Sequence, residues 1–151
     1  MPPEAGQAAH FRALEALYRS APVNRGFRSE IELAEPGLAR IRFEVAPEAF
    51  HAAGAAHGTL YFKMMDDAAF YACNSLVSDR FLLTTAFNLV FTRPLRQGPA
   101  VAEGRWISGR RRVFVGEARL LTADGEEAAR GTGTFMRSRI ALSSLAGYQP
   151  G

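Results

Sequence analysis

Hydrophobic residues recur at two periods along this chain. Within residues 4–19, Phe11, Leu14, Leu17 and Tyr18 fall at helical spacing, which predicts a short amphipathic helix. Beyond residue 27 the period drops to two. Ile31 and Leu33, then Ile41, Phe43 and Val45, alternate with polar residues over 27–34 and 38–46, and Glu35-Pro36-Gly37 divides them as the turn of a hairpin. Residues 47–57, with Pro47 and Gly54, read as loop. From 58 to about 78 no breaker occurs and Ala, Met and Leu dominate, which predicts a helix of about five turns. After Asp79 the pattern is strand again, over 83–92, 100–109, 111–122 and 128–138. The breaks fall at 94–99, Gly109 and Asp124-Gly125. Pro94 cannot donate to a ladder and marks a strand end or bulge. The last dozen residues read as a loose tail.

The predicted order is helix, two strands, one long apolar helix, four strands. A helix this apolar has to be buried, and a curved antiparallel sheet wrapped around it is the economical way to do so. The fold class is therefore α+β, a single domain over 1–151 with an N-terminal helical extension in 1–26 and a tail in 140–151. A chain of 151 residues, 48% hydrophobic, supports one core and leaves no room for a second. The single cysteine, Cys73, excludes a disulfide framework, and without a CxxC pair no zinc site is expected. No signal pattern opens the chain and no apolar run reaches membrane-spanning length, so the expectation is a cytoplasmic protein with no membrane partner. The net charge of +3 comes from seventeen Arg and one Lys, Lys63. That is too mild to argue nucleic acid, although clustered arginines suit a nucleotide phosphate.

Candidate chemistry concentrates in residues 50–75, FHAAGAAHGTLYFKMMDDAAFYACNS. On a helix the adjacent acids Asp66 and Asp67 face different directions. Asp67 shares a face with Lys63 and Asn74, and Lys63, four residues earlier, pairs with it on a solvated surface. Asp66 falls among Phe62, Ala69, Phe70, Cys73 and Val77. A carboxylate there loses solvation, which raises its pKa and its basicity. The structural alternative is an acid that caps a loop or meets a distant arginine. Cys73 reads as a packed small hydrophobe, Trp106 as sheet packing, and Met64 and Met65 as core or interface.

Gly58 follows His57 where the helix begins. The first amides of a helix lack internal acceptors, the dipole adds positive charge, and glycine admits a close ligand oxygen. Such an entrance stabilises a developing oxyanion. His57 taken alone is more readily a packing or hydrogen-bonding residue than a catalyst. Gly58 and Asp66 stand eight residues apart, about 12 Å along the axis. Donor and base must both reach one centre within about 3 Å. If both act, two antiparallel copies of the helix have to meet, and the site lies across a dimer interface. Elsewhere, Arg93 and Arg96 flank Pro94, and Arg110, Arg111 and Arg112 follow Gly109. On a strand Arg110 and Arg112 share one face and Arg111 takes the other. Surface arginines and phosphate ligands are equally good readings of these two segments.

The run His51, Gly54, His57-Gly58, Asp66 and Tyr71-Ala72-Cys73-Asn74-Ser75 resembles the hotdog-fold acyl-CoA thioesterases. The nearest likeness is to the phenylacetic-acid-pathway type and its 4-hydroxybenzoyl-CoA relatives, over roughly residues 38–138. The resemblance implies hydrolysis of an acyl-CoA thioester to a carboxylic acid and free CoA, with no cofactor beyond the CoA of the substrate. It implies that the Gly58 amide polarises the carbonyl while Asp66 of a partner subunit acts as nucleophile or general base. His57 joins Gly58 in that motif. Thr84 stands where the family often has a Ser or Thr that holds the attacking water or the acid. His51 stands where an Asn or Gln commonly orients the water or the carbonyl. Thr59 departs from a second glycine and narrows the helix entrance. The resemblance also implies that the CoA nucleotide lies near Arg93, Arg96, Gly109, Arg110 and Arg111. By the same likeness the protein is a homodimer at minimum and a homotetramer at full assembly. A hotdog hydratase or dehydratase pairing His57 with Asp66 is one alternative, and a non-catalytic acyl-CoA-binding module is another. Phe50, Tyr61, Phe62, Phe70 and Tyr71 suit an aryl or medium aliphatic acyl group, and core packing calls for the same residues.

Overall fold

Two helices and six strands carry the fold of the computed structural model, which describes residues 4–149. They are α1 (Ala5–Ser20), β1 (Ser29–Glu32), β2 (Leu38–Val45), α2 (Gly58–Asn74), β3 (Arg80–Phe91), β4 (Gly98–Ser108), β5 (Val113–Leu121) and β6 (Glu127–Ala141). A 3₁₀ turn at Pro22–Gly26 follows α1. The strands form one antiparallel sheet in the order β1-β2-β4-β5-β6-β3, with α2 packed on its inner face. The α+β expectation of a central helix on a curved antiparallel sheet is borne out, and the architecture is that of a hotdog. Among the described residues no helix is long and apolar enough to cross a membrane.

Alternation in the strands and the Ala/Met content of α2 explain how the core closes. Ala100 and Ala102 of β4, Phe114, Ala118 and Leu120 of β5, and Phe135 of β6 point inward onto Met64, Met65, Ala68, Ala69, Ala72 and Cys73, all buried. Burying each large side chain of this kind stabilises by roughly 1.5–3 kcal/mol. The helix sits directly on backbone. A Cβ on Gly104 would lie 2.1 Å from the Ala68 carbonyl, and one on Gly116 would lie 2.9 Å from Cys73 Sγ. These glycines are needed for proximity, and the period-two pattern alone does not reveal them.

Three expectations need correction. The long helix ends at Asn74, about one turn before 78, because the buried Asn74 amide ties the following turn to β3. It donates to the Val77 and Arg80 carbonyls at 3.1 and 3.0 Å and accepts from Leu82 N–H at 2.9 Å. The first strand stops at Glu32 because Leu33 N–H goes to Glu15 of α1, at 2.8 Å, instead of to a ladder. The C-terminal stretch is not loose as far as Tyr148, the last two residues lying outside the described ones. Strand β6 runs to Ala141, Leu142 is fully buried, and Tyr148 OH lies 2.6 Å from His10 Nδ1. Because His10 Nε2 faces the Asn74 carbonyl at 2.9 Å, it must donate there, which leaves Nδ1 to accept from Tyr148.

Strand β3 is an edge strand with one partner, β6. It runs antiparallel to α2, and aromatic contacts mark the match. Tyr61 meets Phe91, Phe62 meets Phe87 and Phe70 meets Phe81, with ring centroids 4.9, 5.6 and 5.0 Å apart. This side-by-side alignment positions the site.

Candidate active site

Asp66 and Thr84 meet between the second and third of those aromatic contacts. Thr84 Oγ1 donates to Asp66 Oδ1 at 2.8 Å, across the gap between α2 and the start of β3. Thr84 lies beside the register shift between Thr84 and Ala86 of β3. A bulge there re-aims a side chain that plain alternation would leave elsewhere. The Asp66 carboxyl is pushed up to about 6, first by burial and then by the charge of Asp67, against the opposing pull of Thr84 and Lys63. A carboxyl in that range changes protonation close to neutral pH, as a general base or nucleophile requires.

The twin acid follows a different course. Asp67 was expected on a solvated face; it is half-buried beneath the α1 side of the molecule. Lys63 Nζ pairs with Asp67 Oδ2 at 2.7 Å. Lys63 stands three residues before Asp66 as well as four before Asp67, yet its ion pair is with Asp67. Burial raises the Asp67 pKa too, and Lys63 opposes the rise.

The helix entrance lies at the other end of β3. A Cβ on Gly58 would come within 3.1 Å of Phe91 Cζ, so only glycine lets the chain pass that ring unstrained. His57 is the N-cap of α2. Its Nδ1 accepts from Thr59 N–H at 3.1 Å and lies 3.0 Å from Thr59 Oγ1, while the His57 carbonyl takes Leu60 N–H at 3.0 Å. No acceptor among the described residues takes the Gly58 N–H. Thr59 therefore supplies the capping partner of His57, a role its sequence position did not reveal. His51 lies in the loop before α2, exposed, with Nδ1 accepting from Ala53 N–H at 3.0 Å. Within the chain neither histidine contacts Asp66.

The arginine segments are divided in the same way. Arg93 and Arg96 follow β3 at the Phe91 end, where Arg93 pairs with Glu126 at 2.9 Å. Gly109, Arg110, Arg111 and Arg112 form the β4–β5 turn at the opposite end of the sheet, so the three arginines are not on a strand and the face assignment fails. Gly109 has φ +90°, its carbonyl accepts from Trp106 Nε1 at 2.7 Å, and the Arg110 guanidinium stacks 4.3 Å from the Trp106 ring. Trp106 thus holds the turn as well as packing. Cys73 is buried, with its thiol pushed up to about 12 by desolvation, and so is a packing residue. Among the described residues no group of three or more His, Cys, Asp or Glu is placed to hold a metal ion.

Along the chain the candidate residues therefore fall into two separate groups. One holds Gly58, His57, Phe91 and the Arg93–Arg96 segment; the other holds Asp66, Thr84 and the Arg110–Arg112 turn. The edge strand between them exposes Leu83 (46%), Val90 (65%) and Phe91 (53%), with Phe62 (42%) beside it on α2. An edge strand with that much apolar surface is rarely left open to solvent.

Comparison with known proteins agrees with this fold. A family model described as "Thioesterase superfamily" matches residues 53–129, from the loop before α2 into β6. A protein of Saccharolobus solfataricus provisionally named an esterase is 27% identical over 107 residues, which cover 71% of each chain. The E. coli PaaI protein from the phenylacetic acid degradation operon shares the fold with a TM-score of 0.81. It is 20% identical and covers 91% of this chain and 97% of its own. A Streptococcus mutans protein solved bound to acetyl CoA has a TM-score of 0.66 at 19% identity, covering 74% of this chain and 88% of its own.

Proposed function

Because the chain belongs to the thioesterase superfamily, we propose that it hydrolyses an acyl-CoA thioester to a carboxylic acid and free CoA, with Asp66 as nucleophile or general base. The observation that carries this reading is the unequal treatment of two adjacent carboxylates. Asp67 has a counter-ion, whereas Asp66 has a hydroxyl donor, Thr84, and a pKa raised to about 6 by burial. Acyl transfer also needs a donor where negative charge develops on the carbonyl oxygen, and the open Gly58 N–H at a helix N-terminus supplies one.

The two groups act together as half-sites across a dimer. A two-fold axis near the middle of β3 sets the Phe91 end of one copy against the Thr84 end of the other. That pairing covers the exposed Leu83, Val90, Phe91 and Phe62, and it brings Gly58 of one protomer toward Asp66 of its partner. It also brings Arg93 and Arg96 of one copy toward the Arg110–Arg112 turn of the other. Neither segment alone makes a nucleotide site, and the acetyl CoA seen in a structural relative supports this role for them.

Chemically, ionised Asp66 either attacks the thioester carbon itself or takes a proton from a water that does. If Asp66 attacks, the carbon–sulfur bond breaks to leave an acyl-aspartyl anhydride and the CoA thiolate. A water then hydrolyses the anhydride, freeing the acid and Asp66 and supplying the thiolate's proton. If Asp66 is the base, the proton it takes from the attacking water passes to the thiolate as the carbon–sulfur bond breaks. Solvent labelled with ¹⁸O distinguishes the routes. In a single turnover the label enters Asp66 only if the carboxylate is the nucleophile. Release of free thiol from acyl-CoA, lost in Asp66→Asn, tests the proposal. Consumption of acyl-CoA without thiol release would point to hydration chemistry, and tight binding without turnover to a binding module.

A further inference from the structure

The face of α2 opposite β3 carries a second constellation, which hydrolysis as described does not use. Lys63, the one lysine of the chain, is enclosed by the segment that precedes β1. Its ammonium lies 4.9 Å from the centroids of both the Tyr18 and Phe27 rings. It donates to Asn24 Oδ1, approaches Tyr18 OH at 3.4 Å and pairs with Asp67 at 2.7 Å. The cage is itself braced. Asn24 Nδ2 donates to the Tyr18 carbonyl at 2.7 Å, Tyr18 OH bonds Ser29 Oγ at 2.7 Å, and Tyr71 packs edge-on against Tyr18 at 5.7 Å. The charged and titratable groups facing Lys63 are therefore Asp67 on α2 and Tyr18 on α1, with Asp66 feeling its charge without pairing and Tyr71 standing beside Asp67 and Tyr18. Burial, and then Asp67 and Tyr18, hold the Tyr71 phenol well above its usual range, so it stays neutral.

Helix spacing alone offers Lys63 to either acid, since i,i+3 and i,i+4 neighbours are both within reach. The cage removes that choice. Two aromatic faces, an amide oxygen and a hydroxyl all lie on the Asp67 side, and a cation over aromatic rings in a desolvated pocket is held there. We propose that Lys63 is a positioning residue for Asp66. The Tyr18–Asn24–Phe27 cage assigns the cation to Asp67, neutralises that acid, and leaves Asp66 as the unpaired carboxylate on the β3 face. The N-terminal segment thereby determines which of two adjacent acids serves as the base. This inference rests on Asp66 being that base.

The test reads Asp66 directly. In ¹³C-labelled protein the Asp66 side-chain carboxyl resonance, identified by its disappearance in Asp66→Asn, is titrated in wild type, Lys63→Met, Asp67→Asn and the double variant. Removing Lys63 leaves Asp67 uncompensated beside Asp66, so the midpoint should rise, by roughly half a pH unit or more. Removing the Asp67 charge leaves Asp66 as the anion nearest Lys63, so the midpoint should fall by a similar amount. The double variant should return close to wild type. Midpoints that stay fixed, or that move the same way in both single variants, overturn the proposal. Asp67→Asn is nearly isosteric and keeps Lys63 in its cage, so it decides the matter even if Lys63→Met does not fold. Thiol release by Asp66→Asn is measured alongside. Retained turnover there defeats the proposed function and leaves the titration result standing, whereas lost turnover with immobile midpoints defeats only the cage.

Discussion

Asp66 and Asp67 are adjacent in sequence and lie on different faces of the central helix. On one side α1 and the Pro22–Gly26 turn fold down over α2, and their Tyr18 and Asn24 hold Lys63 of α2 against Asp67. On the other side the edge strand stands beside Asp66, with Thr84 as its one side-chain donor among the described residues and an apolar rim still open. The chemistry of an acid in this fold is set by what the rest of the chain supplies to its side of the helix. The covered side is structural, and the open side is the one proposed to react.

The comparison breaks most sharply under removal of each charge in turn. Asp66→Asn should lower kcat by roughly 10²–10⁴-fold, the usual worth of a positioned acid–base group, whereas Asp67→Asn should stay within about tenfold of wild type. Stability should change in the opposite sense. Because burial raises the Asp66 pKa above its unfolded value, the folded state holds that proton to higher pH. The associated stability is present below about pH 4 and lost as pH rises through about 6. Asp66→Asn removes that loss and should raise Tm at pH 7 by roughly 1–3 °C. Asp67→Asn strands a caged cation and should lower it. Comparable losses of activity in both variants would erase the distinction.

Smaller effects sharpen the open side. Val90→Arg places a charge at the Phe91 end of the exposed β3 surface and should yield a monomer by light scattering, with turnover reduced roughly a hundredfold through loss of alignment. A monomer of full activity would return the whole site to one chain. Gly58→Ala, whose methyl would press on Phe91, should cost about tenfold in kcat with little change in KM, since it displaces the donor without removing it. In wild type the requirement for ionised Asp66 predicts a kcat that falls tenfold per unit as pH drops below about 6, readable in a simple pH–rate profile. Smallest of all, Arg110→Ala or Arg111→Ala should raise KM for acyl-CoA by about three- to tenfold and leave a short thioester lacking the nucleotide unaffected.

The sequence carried the period-two strands, the apolar helix and the different headings of the twin acids legibly, because each follows from local spacing. Which acid keeps Lys63 does not, since Lys63 stands three residues from one and four from the other. The 12 Å argument between Gly58 and Asp66 also rested on helix rise alone, and the structure puts the two at opposite ends of β3. What spacing could not convey was long-range. Leu33 N–H is diverted to Glu15, Asn74 is tied to Leu82, and Lys63 is caged by residues some forty positions upstream. Each depends on which segment covers which face. Asp67 was misjudged as solvated for the same reason: nothing local announces that α1 lies over it. His57 shows a limit of another kind. Its ring caps the helix through Thr59, a partner two residues away that reads in sequence only as a missing glycine. The loop of arginines at 110–112 looked like strand because a turn rich in Arg lacks the Asn or second Gly that usually signals one.

The bond between His10 and Tyr148 joins residues 138 positions apart. Closing a loop of that length costs more entropy than joining nearby segments. On the ribosome, α1 can reach α2 through His10–Asn74 and Tyr18–Tyr71, and Lys63 can enter its enclosure, as soon as α2 has been made. The His10–Tyr148 bond has to wait for β6 and the residues after it. The order of synthesis thus lets the aromatic enclosure be finished early and leaves the C-terminal clasp for last, so a chain stopped short of Tyr148 should keep the first and lack the second.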